Sequence, residues 1–154
     1  MTEFIMAETK EHIAAVRKLF LEYAASLDFD LCFQDFDREL EGLPGEYAMP
    51  TGRLILAKHE EEYVGCVGLR RFEGDICEMK RLYVRPEHRG RGIGRGLAER
   101  IIAEARKIGY RTMRLDTISD MIEAISLYRS LGFTEIPLYR PNPIKGARYF
   151  ELKL

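Results

Sequence analysis

Six residues of two kinds, Arg89, Gly90, Arg91, Gly92, Gly94 and Arg95, stand between a strand-like run, ICEMKRLYV, and a helix-like one, GLAERIIAEARKI. Glycine reaches positive φ without strain and lets a ligand approach the backbone. A helix N-terminus adds unpaired N–H groups and a partial positive charge. Together they suit an anion, and a phosphate above all. A tight turn with solvated arginines is the plain alternative, but two glycines one residue apart directly after a strand favour the cradle. His88 lies beside them, within reach of the same anion or in a structural role.

Spacing decides which phosphate loop this is. A dinucleotide fingerprint needs G-x-G-x-x-G. Counting from Gly90 puts Arg95 at the third glycine, and counting from Gly92 puts Leu97 there. The nucleoside-triphosphate loop, which ends in Gly-Lys-Ser/Thr, is also absent. What is present is Arg-x-x-Gly-x-Gly, filled by Arg89, Gly92 and Gly94.

The elements that must hold this loop read clearly. Phe4–Ala7 is a first strand. Thr9 is a candidate cap for a helix over residues 10–26, with Ile13, Val16, Phe20 and Tyr23 at helical spacing. A loop over 28–34 and a short helix over 35–41 follow, closed by Gly42, Pro44 and Gly45. Residues 53–58, 63–72 and 76–84 read as an antiparallel meander. Residues 92–108 form an amphipathic helix stopped by Gly109. Strand 111–116, helix 121–131, strand 133–136, a loop over 137–146 and strand 147–154 complete the chain. The class expected is α/β, a single domain over 1–154 with a mixed, mostly antiparallel central sheet and helices on both faces.

Composition narrows the function. With 46% hydrophobic and 32% charged residues over 154 positions the chain is an ordinary globular domain. The net charge of −1 divides unevenly: residues 1–50 carry 11 acids and 4 bases, while Lys80–Arg100 carries 7 bases and 2 acids. That is a local anion site in a chain too acidic overall for a nucleic-acid binder. No apolar run approaches the ~20 residues that span a bilayer, and Met1–Lys10 lacks the pattern of a signal peptide. Cys32, Cys66 and Cys77 are odd in number, and neither they nor the histidines show metal-ligand spacing. A reduced, cytoplasmic protein without metal is expected.

Three further segments join the loop in one ordered set. EMKRLYVRPEHRGRGIG, MRLDT and AISLYRSLGF together resemble the GCN5-related N-acetyltransferases, the GNAT family, most closely over residues 50–135. The resemblance implies that the backbone of Arg89, Gly90, Arg91, Gly92, Ile93, Gly94 and Arg95 surrounds the pyrophosphate of acetyl-CoA. It also implies that Leu82 and Val84 pair with the pantetheine arm as an added strand would, with a backbone N–H near Leu82 facing the thioester oxygen. Tyr128 stands where the family has the tyrosine that protonates the departing thiolate; core packing with Ala124, Ile125 and Leu131 is its other role. Glu78 is the candidate base, direct or through water, with an ion pair as the alternative. Strict alternation would put Glu78, Lys80, Leu82 and Val84 on one face and Cys77 on the other, which argues against an acetyl-cysteine route. The family often has asparagine where this chain has Met121.

The resemblance implies acetyl transfer to the primary amine of a small molecule, amino-acid-like or polyamine-like, by direct attack in a ternary complex. Substrate candidates are Phe33, in the acidic segment that holds Asp28, Phe29, Asp30, Asp35 and Asp37, together with Arg70, Tyr139, Asn142 and Arg148. The alternatives are acetylation of a protein N-terminus or lysine, and a non-catalytic acyl-CoA sensor. An RNA-binding role is disfavoured by the acidity and by the lack of an aromatic-basic platform. Members of the family often pair, so a homodimer is compatible, but no interface is written in the sequence.

Overall fold

Thr9 sets the first helix. Its Oγ1 accepts from the His12 N–H at 3.1 Å, and His12 Nδ1 accepts from the Thr9 N–H at 3.3 Å, a capping box built with histidine. From there α1 runs Lys10–Ala25 and buries Val16, Leu19 and Phe20. This computed structural model describes residues 1–27, 31 and 35–154. The predicted loop over 28–34 lies almost entirely outside the described residues, as do Phe33 and Cys32.

The remaining elements are β1 Thr2–Met6, α2 Phe36–Glu41, β2 Arg53–His59, β3 Glu62–Glu73, β4 Ile76–Val84, α3 Ile93–Ile108, β5 Thr112–Ile118, α4 Ile122–Ser130, β6 Thr134–Ile136 and β7 Ala147–Lys153. Every predicted element is present, and ends differ by one or two residues. Seven strands form one sheet in the order β1-β2-β3-β4-β5-β7-β6, antiparallel except where β4 meets β5. That parallel pair needs a crossover, and α3 supplies it. Helices cover both faces. Against α3 and α4 pack Ile55, Val67, Leu69, Cys77, Met79 and Met113; against α1 and α2 pack Leu54, Leu56, Cys66, Tyr47 and Tyr83.

Strand β4 is irregular in two ways. First, Arg81 adopts φ 61, and the pairing with β3 shifts between Cys66 and Gly68. An extra residue in one strand turns the next side chains over. Expected alternation therefore fails: Glu78, Lys80, Arg81 and Tyr83 lie toward α1 and α2, while Leu82 and Val84 lie toward α3. Second, β4 and β5 pair only from Ile76 to Glu78, against Thr112 to Arg114. Both strands continue, to Val84 and Ile118, and between them the sheet opens.

Candidate active site

The glycine loop builds an open helix end. Gly92 occupies the N-cap of α3 at φ 80 in the left-handed region, and no side chain among the described residues caps the helix. A serine or aspartate there would satisfy the first N–H groups; glycine leaves them facing outward. The first turn holds no acid, so nothing competes with an incoming anion for the helix dipole. Arg89 folds back, donating from Nε to the Val84 carbonyl at 2.9 Å with its guanidinium over the Tyr83 ring. Arg95 reaches Ser130 on α4. Arg91 is exposed.

A cavity of about 740 Å³ fills the opening between β4 and β5. Leu82 and Val84 line it from β4; Arg89, Gly90, Gly92, Ile93, Gly94 and Arg95 close one end. Tyr23 of α1 and Tyr128 of α4 both reach it, so it passes from one face of the sheet to the other. Arg91 is not part of the wall. Tyr128 also packs its ring against Phe133 and Phe150, which makes it core and cavity wall at once. Burial pushes its phenol well above the ordinary 10. It holds its proton throughout the neutral range and can only give it away.

Glu78 sits elsewhere, beside a second cavity of about 750 Å³ on the side of α2. Its side chain is 1% exposed. Oε1 meets Arg70 Nε at 3.1 Å, and Oε2 meets Arg140 Nη2 and the Tyr139 hydroxyl, each at 2.7 Å. Burial alone would raise this carboxyl, but Lys80, Arg70 and Arg140 outweigh it with help from the Tyr139 hydrogen bond, and it stays below the ordinary 4.5. The ion-pair alternative is thus what the geometry contains. The two arginines among the substrate candidates are already occupied. Arg70 also pairs with Glu46 at 3.1 Å, and Arg148 lies away from both cavities, bidentate to Glu135 at 2.9 and 2.6 Å. Asn142 lines the first cavity while its Oδ1 accepts from the Ile144 N–H at 2.8 Å.

Three charged residues escaped the sequence reading. Lys80 Nζ, buried, lies 3.2 Å from Oδ1 of the partly buried Asp116, and both are in the wall of the first cavity. Arg140 lines the second, and its Nε is buried without a hydrogen-bond partner among the described residues. The only signal in the sequence was a lysine and an aspartate each inside an apolar strand. Cys77 faces α3, away from Glu78, and burial pushes its thiol up to about 12. It carries no thiolate at neutral pH. Among the described residues no three His, Cys, Asp or Glu side chains gather as metal ligands, and no helix is long and apolar enough to cross a membrane.

Known proteins resemble this chain in sequence and fold. The profile of the acetyltransferase (GNAT) family matches residues 13–133. The chain belongs to the GNAT acetyltransferase family. An N-acetyltransferase of Schizosaccharomyces pombe, itself described as uncharacterized, is 40% identical over 140 residues, which is 90% of this chain and 86% of that one. An acetyltransferase from Streptococcus agalactiae shares the fold with a TM-score of 0.78 at 25% identity, over 99% of this chain and 98% of the other. A Salmonella typhimurium structure solved with its cofactor acetyl-CoA aligns with a TM-score of 0.71 at 22% identity, over 99% and 94%. This GNAT enzyme is an N-acetyltransferase, and its acyl donor is that of the family, acetyl-CoA.

Proposed function

We propose that this GNAT enzyme acetylates the primary amine of a small, amino-acid-like molecule by direct attack in a ternary complex. The observation that carries the reading is the pair of cavities of similar volume on either side of β4, one ending in an open helix N-terminus and the other ringed with charge. In the first, the N–H groups of Ile93, Gly94 and Arg95 hold the diphosphate of the donor, and the backbone of Leu82 and Val84 holds its amide arm. Acetyl-CoA supplies the acetyl group as a thioester. The Leu82 N–H faces the thioester oxygen, and Tyr128 holds the proton that the departing sulfur needs.

The second cavity takes the amine. Glu78 is ionised there with both oxygens occupied, so it serves as the ion-pair partner that fixes Arg70, Arg140 and Tyr139 in the cavity wall, and the ammonium gives its proton to solvent water before it attacks. The substrate contact expected of Arg70 and Arg148 passes instead to Arg140, which lines this cavity, with the exposed Arg38 and Arg71 near it to meet an acceptor bearing an oxygen anion. That favours an amino acid over a polyamine. A cytoplasmic setting is supported by the free, buried thiols of Cys66 and Cys77.

The test is thiol release from acetyl-CoA across amino acids, polyamines, aminoglycosides and N-terminal peptides. Release with one class of amino acid, reduced roughly 10²-fold in Tyr128→Phe, supports the reading. Release with peptides alone would move the enzyme to protein acetylation. Tight CoA binding with no release for any amine would make it a sensor.

A further inference from the structure

The opening between β4 and β5 has a closed end as well as an open one. The backbone ladder stops at Glu78 and Arg114. Two positions further along each strand, Lys80 and Asp116 reach across the gap and meet at 3.2 Å, with side chains 2% and 10% exposed. They line the cavity from the α1 side, while Met79, Leu115 and Tyr128 line it from the α3 and α4 side. A buried ion pair is a poor way to gain stability, because desolvating two charges costs about as much as their attraction returns. An apolar pair would close the gap as well. The charges must therefore be judged by what they face.

We infer that the Lys80–Asp116 pair is an acyl-length stop, admitting acetyl and rejecting acyl chains of four carbons or more. This rests on the proposed donor site, in which acetyl-CoA lies in the opening with its thioester near Leu82. A tail growing toward the closed end runs between an apolar wall and the ion pair. Each added methylene presses on the pair, and prising it open separates two opposite charges that are held 3.2 Å apart away from water, which is costly in a protein interior. An apolar side chain at either position would yield to the tail or welcome it.

The experiment measures binding, so it needs no acceptor. Titration calorimetry of the wild-type protein compares CoA, acetyl-CoA, propionyl-CoA and butyryl-CoA. The expected result is acetyl-CoA bound within about three-fold of CoA, and butyryl-CoA at least ten-fold more weakly. In Lys80→Met/Asp116→Asn, which removes both charges and keeps both shapes, butyryl-CoA regains at least that ten-fold while CoA is bound as before. Equal binding of acetyl-CoA and butyryl-CoA by the wild type overturns the inference even if the variant does not fold. So does discrimination that survives in a variant still binding CoA. Failure of CoA itself to bind the wild type overturns the donor site and the stop together, and is recognisable as that. If a panel of amines then gives no acetylation, the stop stands and only the catalytic reading falls.

Discussion

Glu78 carries its charge because three donors surround it, and that has a measurable cost at low pH. Its carboxyl and that of Asp116 are held below their ordinary 4.5 and 3.8. A carboxyl with a depressed folded pKa favours the native state above its ordinary value and loses that contribution as pH falls toward the folded one. The thermal midpoint should therefore be insensitive to these two groups above pH 5 and drop steeply below about 4.5. Glu78→Gln should flatten that acid limb in a series of melts, while lowering stability at pH 7 by about 3 kcal/mol, since Arg70 and Arg140 lose a buried partner. At the same scale, Arg140→Ala should raise the KM for an amino-acid acceptor about ten-fold, with kcat changed far less. A change confined to kcat would remove Arg140 from acceptor binding.

Helix α3 contains two glycines that do different work, and substitution separates them. A Cβ on Gly94 would meet only Val84 Cγ2 at 3.8 Å and Leu127 Cδ2 at 3.9 Å, ordinary contacts within the protein. Gly94→Ala should melt like the wild type yet lose at least ten-fold in CoA affinity, because in the proposed donor site the side chain then stands where the diphosphate approaches the backbone. A Cβ on Gly96 would overlap the Phe4 ring of β1. Gly96→Ala should cost about 1–3 kcal/mol by overpacking and leave CoA affinity intact at a temperature where the protein is folded. Calorimetry and a thermal melt on each variant check both statements. The reverse pattern would mean that Gly94 is structural and the cradle is misplaced.

At the scale of the whole molecule, the proposed function assigns donor and acceptor to two separate cavities, so that both are bound before transfer. Initial velocities varied in both substrates should give intersecting lines, and intact-mass measurement after incubation with acetyl-CoA alone should find no acetyl-enzyme. Parallel lines with an acetylated chain would indicate a covalent route, against the protonated, averted thiol of Cys77. At this scale too lies the difference between what could be read and what could not. The order of elements, the capped α1 and the loop before α3 were legible because each depends on neighbours in the chain: Thr9 with His12, Gly92 with the helix it opens, apolar residues at helical spacing. The faces of β4 were not, because the bulge at Arg81 arises from its register against Cys66 and Gly68 on another strand.

The sequence by itself determined the class of fold, the place of the glycine loop before α3 and, through its ordered motifs, the family of the enzyme, since local backbone preference and strand or helix periodicity are written in consecutive residues. Only the tertiary structure decided who meets whom. It paired Arg70 with Glu46 and Glu78, Arg148 with Glu135, and Lys80 with Asp116, 36 positions apart. A charge chooses its partner from whatever the packed chain brings within a few ångströms, and burial, which makes that choice binding, exists only once the sheet has closed over it.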